Sequence, residues 1–295
     1  MKRENAPLSE IESLYRQAAD YQQKGDVYNA VKLCKKIIKI APDWSAPFSL
    51  LSLIYKTRNE WHPTLYYSHK AVSNNPFDER AWTNMAIAAT ALRKWLTARK
   101  AWNHVGYDFP EKNQVINMDL GLVAVRINSQ SRPEIVWARR VCPARARIQS
   151  IPQPASELRF EDLILTDAEP CGFHIQNGIR RPVFEALQLL KPSRKWTFIA
   201  RLNTDNPADV LTLERICAEA GLGFDNWSKA IRQLTASSNP QLPEYFQDSF
   251  ANNPSFDHQL VAISAEWQME VRQVLEAWKI VTLKSYSGLR CVLRW

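Results

Sequence analysis

Ala41-Pro42-Asp43-Trp44, Asn75-Pro76-Phe77-Asp78 and Phe109-Pro110-Glu111-Lys112 place three prolines at 42, 76 and 110, a spacing of 34 residues each time. A fixed period of this length is the mark of a repeat architecture, so it takes precedence over any local reading. Counting back from each proline gives units of 11–44, 45–78 and 79–112, which begin at Ile11, Ser45 and Glu79.

The columns of these units agree. Position 4 is Leu14, Phe48 and Trp82, and position 11 is Tyr21, Tyr55 and Ala89. Residues seven apart lie about two turns apart on one face of a first helix. Position 20 is Ala30, Thr64 and Ala98, small residues that let a second helix approach closely, and position 17 is Val27, Trp61 and Trp95. The proline then ends the second helix, because it cannot donate to the hydrogen-bond ladder and restricts the residue before it. Gly25-Asp26 supplies the turn between helices in the first unit, with Asn59-Glu60 and Arg93-Lys94 in its place later.

On these columns residues 11–112 resemble three tetratricopeptide repeats. The departures are Gln17, where position 7 is normally large, and Ala89, where position 11 is normally aromatic. The resemblance implies a solenoid whose concave surface holds extended peptides or another protein. It also implies that positions 2, 5, 9 and 12 of the first helices face that groove. These are Glu12, Tyr15, Ala19 and Gln22; Ala46, Ser49, Leu53 and Lys56; and Arg80, Thr83, Ile87 and Thr90. The chaperone-binding members hold a C-terminal carboxylate with Lys and Asn, where this chain has Tyr15 and Ala19, so a chaperone-tail clamp is not expected. The groove is mixed, apolar at Leu53 and Ile87 with scattered polar groups. It serves either a partner or the chain's own C-terminal part.

Composition agrees with a folded, helix-containing protein. The chain has 295 residues and a formal charge of +8, with 45% apolar and 23% charged residues. Only 8 glycines are present, too few to favour a phosphate-cradling loop, while 11 tryptophans favour packing and contact surfaces. The five cysteines, Cys34, Cys142, Cys171, Cys217 and Cys291, are scattered and form no C-x-x-C pair, so neither a disulfide framework nor a structural zinc site is indicated. No secretory signal or membrane-spanning run is apparent, and the expected setting is cytoplasmic.

Beyond the repeats the pattern changes to short β-rich runs: Val123–Ile127, Ile135–Ala138, Leu163–Thr166 and Gly172–Ile175, with turns at Asp167–Pro170 and Gln176–Gly178. They predict a small antiparallel β domain over 115–192. Within it Arg126, Arg132, Arg139, Arg140, Arg145 and Arg147 face a single acid, Glu134, a local charge of +5. Arginine's planar fork suits phosphates or carboxylates, so the cluster is a candidate partner surface, or else a solvated face. Val136–Arg140, Pro143–Ile148 and Pro182–Phe184 resemble a segment that follows tetratricopeptide repeats in uncharacterised bacterial proteins, which implies a bacterial source and no catalytic residues.

From 193 to 295 the chain predicts a strand at Trp196–Leu202 and a helix from Asn206-Pro207 to Ala220 stopped by Gly221. A strand at Gln259–Ser264, a helix at Glu266–Ala277, and strands at Ile280–Ser285 and Leu289–Arg294 joined by Tyr286-Ser287-Gly288 follow. Two strand–helix–strand units suggest a ferredoxin-like α+β sandwich, with a long surface loop at 236–258. The expected whole is thus an α+β multidomain chain: an all-α solenoid at 1–114, a small β domain at 115–192 and an α+β domain at 193–295.

The sequence offers no catalytic constellation, cofactor site or metal site. His62, His69, His104, His174 and His258 lack metal-binding spacing, and no nucleophile elbow or Walker loop is present. Cys171 and His174 would fall on opposite faces of a strand. The expected function is therefore non-catalytic protein binding, through Tyr15, Gln22, Ser49, Leu53, Lys56, Arg80, Thr83 and Ile87 in the groove and Arg139, Arg140, Arg145 and Arg147 beyond it. The specific expectation is a bacterial immunity protein that neutralises a cognate toxin. A chaperone for extended peptides is the alternative and RNA binding a third class, with nucleic acid not the expected partner.

Overall fold

The computed structural model describes residues 8–128, 133–176, 179–228, 234–236, 244–247 and 259–294. They fall into two compact units, 1–116 and 117–295. The first unit is three antiparallel helix pairs: α1 (Leu8–Gln23) with α2 (Val27–Ile40), α3 (Ser45–Thr57) with α4 (Trp61–Asn74), and α5 (Glu79–Ala91) with α6 (Trp95–His104). The second helices start at 27, 61 and 95, and α3 and α5 start at 45 and 79, which is the tetratricopeptide register.

The turns repeat as faithfully as the helices. Position 15 of each unit has a left-handed backbone: Gly25 at φ 78°, Asn59 at 57° and Arg93 at 56°. The next residue's N–H closes back on position 11, with Asp26 donating to the Tyr21 carbonyl, Glu60 to Tyr55 and Lys94 to Ala89, at 2.8–2.9 Å. This satisfies a carbonyl that the helix end leaves orphaned. Ala30, Thr64 and Ala98 are fully buried where the paired helices meet. Polar ties one period apart join the units: Asn74 Nδ2 donates to the Pro42 carbonyl at 2.9 Å, and Asn84 Nδ2 to Ser52 Oγ at 3.0 Å.

Among the described residues of the first unit, α6 is the last helix. Beyond it the chain at 109–116 is fastened by Arg99 of α6, whose guanidinium donates to the carbonyls of Pro110 and Gln114 at 3.0 Å and of Val115 at 3.3 Å. Phe109 and Ile116 are buried beside this clasp.

In the second unit β1 (Leu122–Ile127), β2 (Glu134–Cys142), β3 (Arg145–Ile148), β4 (Leu163–Gln176) and β5 (Ile179–Lys191) follow one another as antiparallel neighbours. β5 pairs in parallel with β1, Ala124 opposite Val183, and closes a barrel. Five alternating strands leave the first and last pointing the same way, so parallel closure follows from the count. Val125, Ile127, Val136, Ala138, Ala146, Ile148 and Ile164 form one buried cluster of this barrel.

The remaining elements are β6 (Trp196–Leu202), α7 (Pro207–Glu219), β7 (Gly223–Asn226), β8 (Leu234–Ala236), β9 (Glu244–Gln247), β10 (Gln259–Ala265), α8 (Gln268–Thr282) and β11 (Tyr286–Leu293). Four of them form an antiparallel sheet ordered β11-β6-β10-β7. One buried cluster joins Phe198, Leu202, Val261 and Ile263 of the strands to Leu213 and Cys217 of α7 and Leu275 and Trp278 of α8. A second cluster joins Ile199 and Ala262 to Ile151, Phe160 and Trp227. Asp225 accepts from the Ile151 N–H at 3.2 Å, and Trp227 Nε1 donates to the Ile151 carbonyl at 3.2 Å. A boundary at 192 therefore does not separate two compact bodies, because the β3–β4 connection is built into the second sheet.

Four local expectations need correction. The expected turn at Asp167–Pro170 is an irregularity inside one long strand, β4, with register shifts on both sides. Ile280–Thr282 continue α8 rather than starting a strand, because the buried Val271, Val274, Leu275 and Trp278 hold the helix and leave Ile280 and Val281 exposed. Tyr286–Gly288 belong to β11, with Gly288 at φ 64° in a register shift. Within the expected 236–258 loop, β9 pairs with β4 in parallel and with β8 in antiparallel. The rest of that loop, Arg132, His258 and Asn177-Gly178 lie outside the described residues.

Two predictions follow from the solenoid's turns and clasp. A Cβ at Gly25 meets nothing within 4 Å, so Gly25→Ala costs only backbone strain, about 1–2 kcal/mol. Arg93→Gly gains up to about 1 kcal/mol and Asn59→Gly less, since Asn tolerates this conformation; urea unfolding followed by far-UV circular dichroism checks the order. Arg99→Met strips three carbonyls of a charged donor and costs about 2–3 kcal/mol, with faster proteolysis after residue 105.

Candidate protein-binding surface

The groove-facing positions divide by accessibility. Tyr15, Gln22, Ser49, Leu53 and Thr83 are half-buried and Arg80 is exposed, whereas Lys56 (6% exposed) and Ile87 (0%) are buried. Ile87 therefore cannot contact a partner. Its helix α5 is buried nearly all round, from Asn84 through Thr90, because alanine occupies three of these positions and lets neighbouring helices close. Thr90, at the last groove position, is also buried, and its hydroxyl donates to the Ala86 carbonyl at 2.7 Å.

Two of the accessible residues, Tyr15 and Arg80, meet near the N-terminal ends of α3 and α5. The Tyr15 ring packs against Trp44, centroids 5.0 Å apart. Asp78 caps α5 by accepting from the Ala81 N–H at 2.9 Å, and it accepts from Ser45 Oγ at 3.4 Å. Burial raises the Tyr15 hydroxyl's pKa, and the charge of Asp78 adds to this while Arg80 opposes it. Side chains from all three repeats, Tyr15, Ser45, Asp78 and Arg80, thus share one patch with an aromatic shelf, an anion and a cation. Sequence columns identified Tyr15 and Arg80 but missed Trp44, Ser45 and Asp78, which occupy cap and turn positions.

The arginine cluster is not an open basic surface. Arg126 donates through Nε to Glu185 at 2.6 Å, and Arg139 through Nη1 to Asp119 at 2.6 Å. Arg140 is buried, hydrogen-bonded to the Pro143 carbonyl, with its guanidinium 4.1 Å from the centre of the Phe184 ring. Arg145 is buried beside Cys142 Sγ at 3.2 Å, while Arg139 and Arg147 are exposed, Arg147 donating to the Glu161 carbonyl at 3.2 Å. Arg140 and Arg145 are thus structural, a correction to their expected role. The balancing acids Asp119 and Glu185 lie outside the 126–148 window, so a local charge count could not find them.

No group of three or more His, Cys, Asp or Glu residues among the described residues could hold a metal ion. Cys171 and Trp137 both pack on the buried cluster of Ala124, Ile135 and Val183, and the His174 ring lies 5.7 Å from that of Trp137. Burial pushes the Cys171 thiol up to about 12, and burial does the same to Cys34 and Cys217. At neutral pH all three keep their protons and are poor nucleophiles. A cleft of about 250 Å³ lies between α7 and β7, lined by Val210, Leu211, Glu214 and Phe224, below the usual size of a ligand pocket.

No protein-family model matches the sequence, and no curated protein does. Several solved structures similar to the chain are tetratricopeptide-repeat domains. The first such domain of Spaghetti (RPAP3), bound to an HSP90 peptide, is 18% identical, with a TM-score of 0.33 over 35% of this chain and 81% of that one. The Sgt2 domain from Aspergillus fumigatus is 18% identical, with a TM-score of 0.32 over 35% of this chain and 69% of that one. The TPR2B domain of yeast Sti1, in a complex with pHsp70, is 23% identical, with a TM-score of 0.30 over 32% of this chain and 75% of that one. The helix pairs of residues 8–104 keep a 34-residue register of their own that is consistent with tetratricopeptide repeats. Among the described residues no helix is long and apolar enough to cross a membrane.

The thiol environments predict slow chemistry. At pH 7 a thiol of pKa about 12 has roughly a thousandfold less thiolate than a free cysteine. Maleimide labelling resolved by peptide mass mapping should modify Cys34, Cys171 and Cys217 at least about 100-fold more slowly in the native chain than in urea.

Proposed function

We propose that the chain is a non-catalytic adaptor that binds another protein through the concave side of its solenoid, and specifically that it is a cytoplasmic bacterial immunity protein covering a cognate toxin. The observation that carries the reading is the patch of Tyr15, Trp44, Ser45, Asp78 and Arg80, with Leu53 and Thr83 accessible beyond it. It offers aromatic area and both signs of charge over three repeats, which suits a folded partner or a mixed peptide better than a carboxylate tail. The strand order β11-β6-β10-β7 with two helices supports reading the C-terminal part as ferredoxin-like. One face of that sheet packs on Ile151 and Phe160, which disfavours base stacking there.

The test is capture of partners by the tagged full chain, with Arg80→Glu and Leu53→Asp as groove variants. One stoichiometric partner encoded beside the gene, lost at least about tenfold in each variant, is the expected result, together with protection of cells that express the partner. Many substoichiometric clients would favour the chaperone reading, and capture unaffected by either variant would remove the groove from the function.

A further inference from the structure

The second helices of all three repeats, α2, α4 and α6, contain no Asp or Glu. They carry Lys32, Lys35, Lys36 and Lys39 on α2, Lys70 on α4, and Arg99 and Lys100 on α6. Arg99 is used by the clasp and Lys100 pairs with Glu111 at 3.1 Å. The other five lysines are exposed, and Lys32 Nζ stands 6.0 Å from the centre of the Tyr28 ring. The first helices, in contrast, carry Glu10, Glu12, Asp20 and Glu79. Charge is therefore segregated between the first and second helices of the solenoid, with the basic excess on the second.

The ridge on α2 has a definite geometry. Lys32, Lys35, Lys36 and Lys39 recur at i, i+3, i+4 and i+7, which puts them on one face over about 10 Å of helix. Buried Ala30, Cys34 and Ile37 fix the opposite face against the core, so the ridge cannot roll inward. Tyr28, one turn before Lys32, is 75% exposed, and Tyr66 of α4, which holds in its repeat the position of Lys32, is 56% exposed. The two helices are joined through Tyr67, which packs in the same cluster as Cys34 and against which the Tyr66 ring stands edge-on at 5.1 Å. Lysines in steps of about one helical turn, flanked by exposed aromatic rings, are what a single-stranded nucleic acid uses: cations for successive phosphates and π-faces for bases. An acidic polypeptide would use the lysines and leave the rings idle. A bilayer would favour apolar side chains that insert, whereas both exposed rings here carry hydroxyls.

We infer that the outer face of α2 and α4 is a binding surface for single-stranded nucleic acid, independent of the groove on the other side. About four phosphates engaged gives a slope near −2.8 in log K against log salt, so affinity falls about 50-fold between 50 and 200 mM salt. The experiment uses the full chain and fluorescent dT and U 20-mers, read by anisotropy at both salts. Lys35→Gln/Lys36→Gln/Lys39→Gln, with its helix content checked by circular dichroism, should weaken binding at least about 20-fold and flatten the slope by about 2. Tyr28→Ala and Tyr66→Ala should each weaken it about 5- to 50-fold with the slope unchanged.

Lys284→Gln/Arg290→Gln, which removes two exposed cations elsewhere, should change nothing; an equal loss there would reduce the effect to net charge and overturn the proposal. So would the absence of binding at 50 mM salt. Polyglutamate bound as tightly as the oligonucleotides, with the tyrosine variants unaffected, would overturn it in favour of an acidic protein. Binding only to phosphatidylserine vesicles would overturn it in favour of a membrane. Because every substituted residue lies outside the groove, partner capture as described above should survive these variants.

Discussion

The left-handed residue at position 15 is the constraint on which the solenoid depends. It reverses the chain in one step, and the following N–H closes on position 11, so the second helix starts at a fixed phase to the first. Only with that phase do Ala30, Thr64 and Ala98 face the first helices at the point of closest approach. The turn and the small residue are complementary: either alone would leave the helices free to slide or too far apart to close-pack. Arg93 meets the requirement at a steric cost that Gly25 avoids, which indicates that the packing around the third turn outweighs its local preference.

The second unit solves a different problem. A sheet with helices on one face leaves the other face exposed, and here the connection between β3 and β4 covers it with Ile151 and Phe160. The approach is close enough that a Cβ at Gly223 would stand 2.9 Å from the Phe160 ring. The arginines of the barrel serve the same end. Stacked on Phe184 or held by Glu185 and Asp119, they use charge for fixing strands and loops, and the price is a surface poorer in free cations than the sequence suggests.

The solenoid was legible because its period is a property of the chain itself. The helix starts at 45 and 79 and at 27, 61 and 95 reproduce the columns read from three prolines. Much of α7 was also legible, because Asn206-Pro207 and Gly221 are local signals, whereas β7 was not: Gly-Phe-Asp-Asn has poor strand propensity and is a strand only because β10 lies beside it. The same limit applied to the sites. Tyr15 and Arg80 followed from the repeat register, but the burial of Ile87 and Arg140 and the pairing of Arg126 with Glu185, 59 residues away, depend on what the fold brings near. Charge at long range is invisible to a window, and the acid-free second helices became meaningful only once they proved to share an exposed face.

These features together divide the labour of the solenoid between its two sides. Burial of Lys56, Ile87 and Thr90 removes the C-terminal end of each later groove stripe and confines access to the patch near Tyr15 and Arg80. The accessible anchors there are few, whereas a standard protein–protein interface buries about 800 Å² on each partner. A partner held there must gain affinity from a few central anchors, of which the Tyr15–Trp44 pair is the largest, or from a second contact elsewhere on the same chain. The lysine ridge lies on the second helices and the patch on the first, both set in place by the same buried core. Two sites on different helices of one solenoid can be filled at once without competing, so a nucleic acid on the ridge would raise the local concentration of whatever the groove holds near that strand.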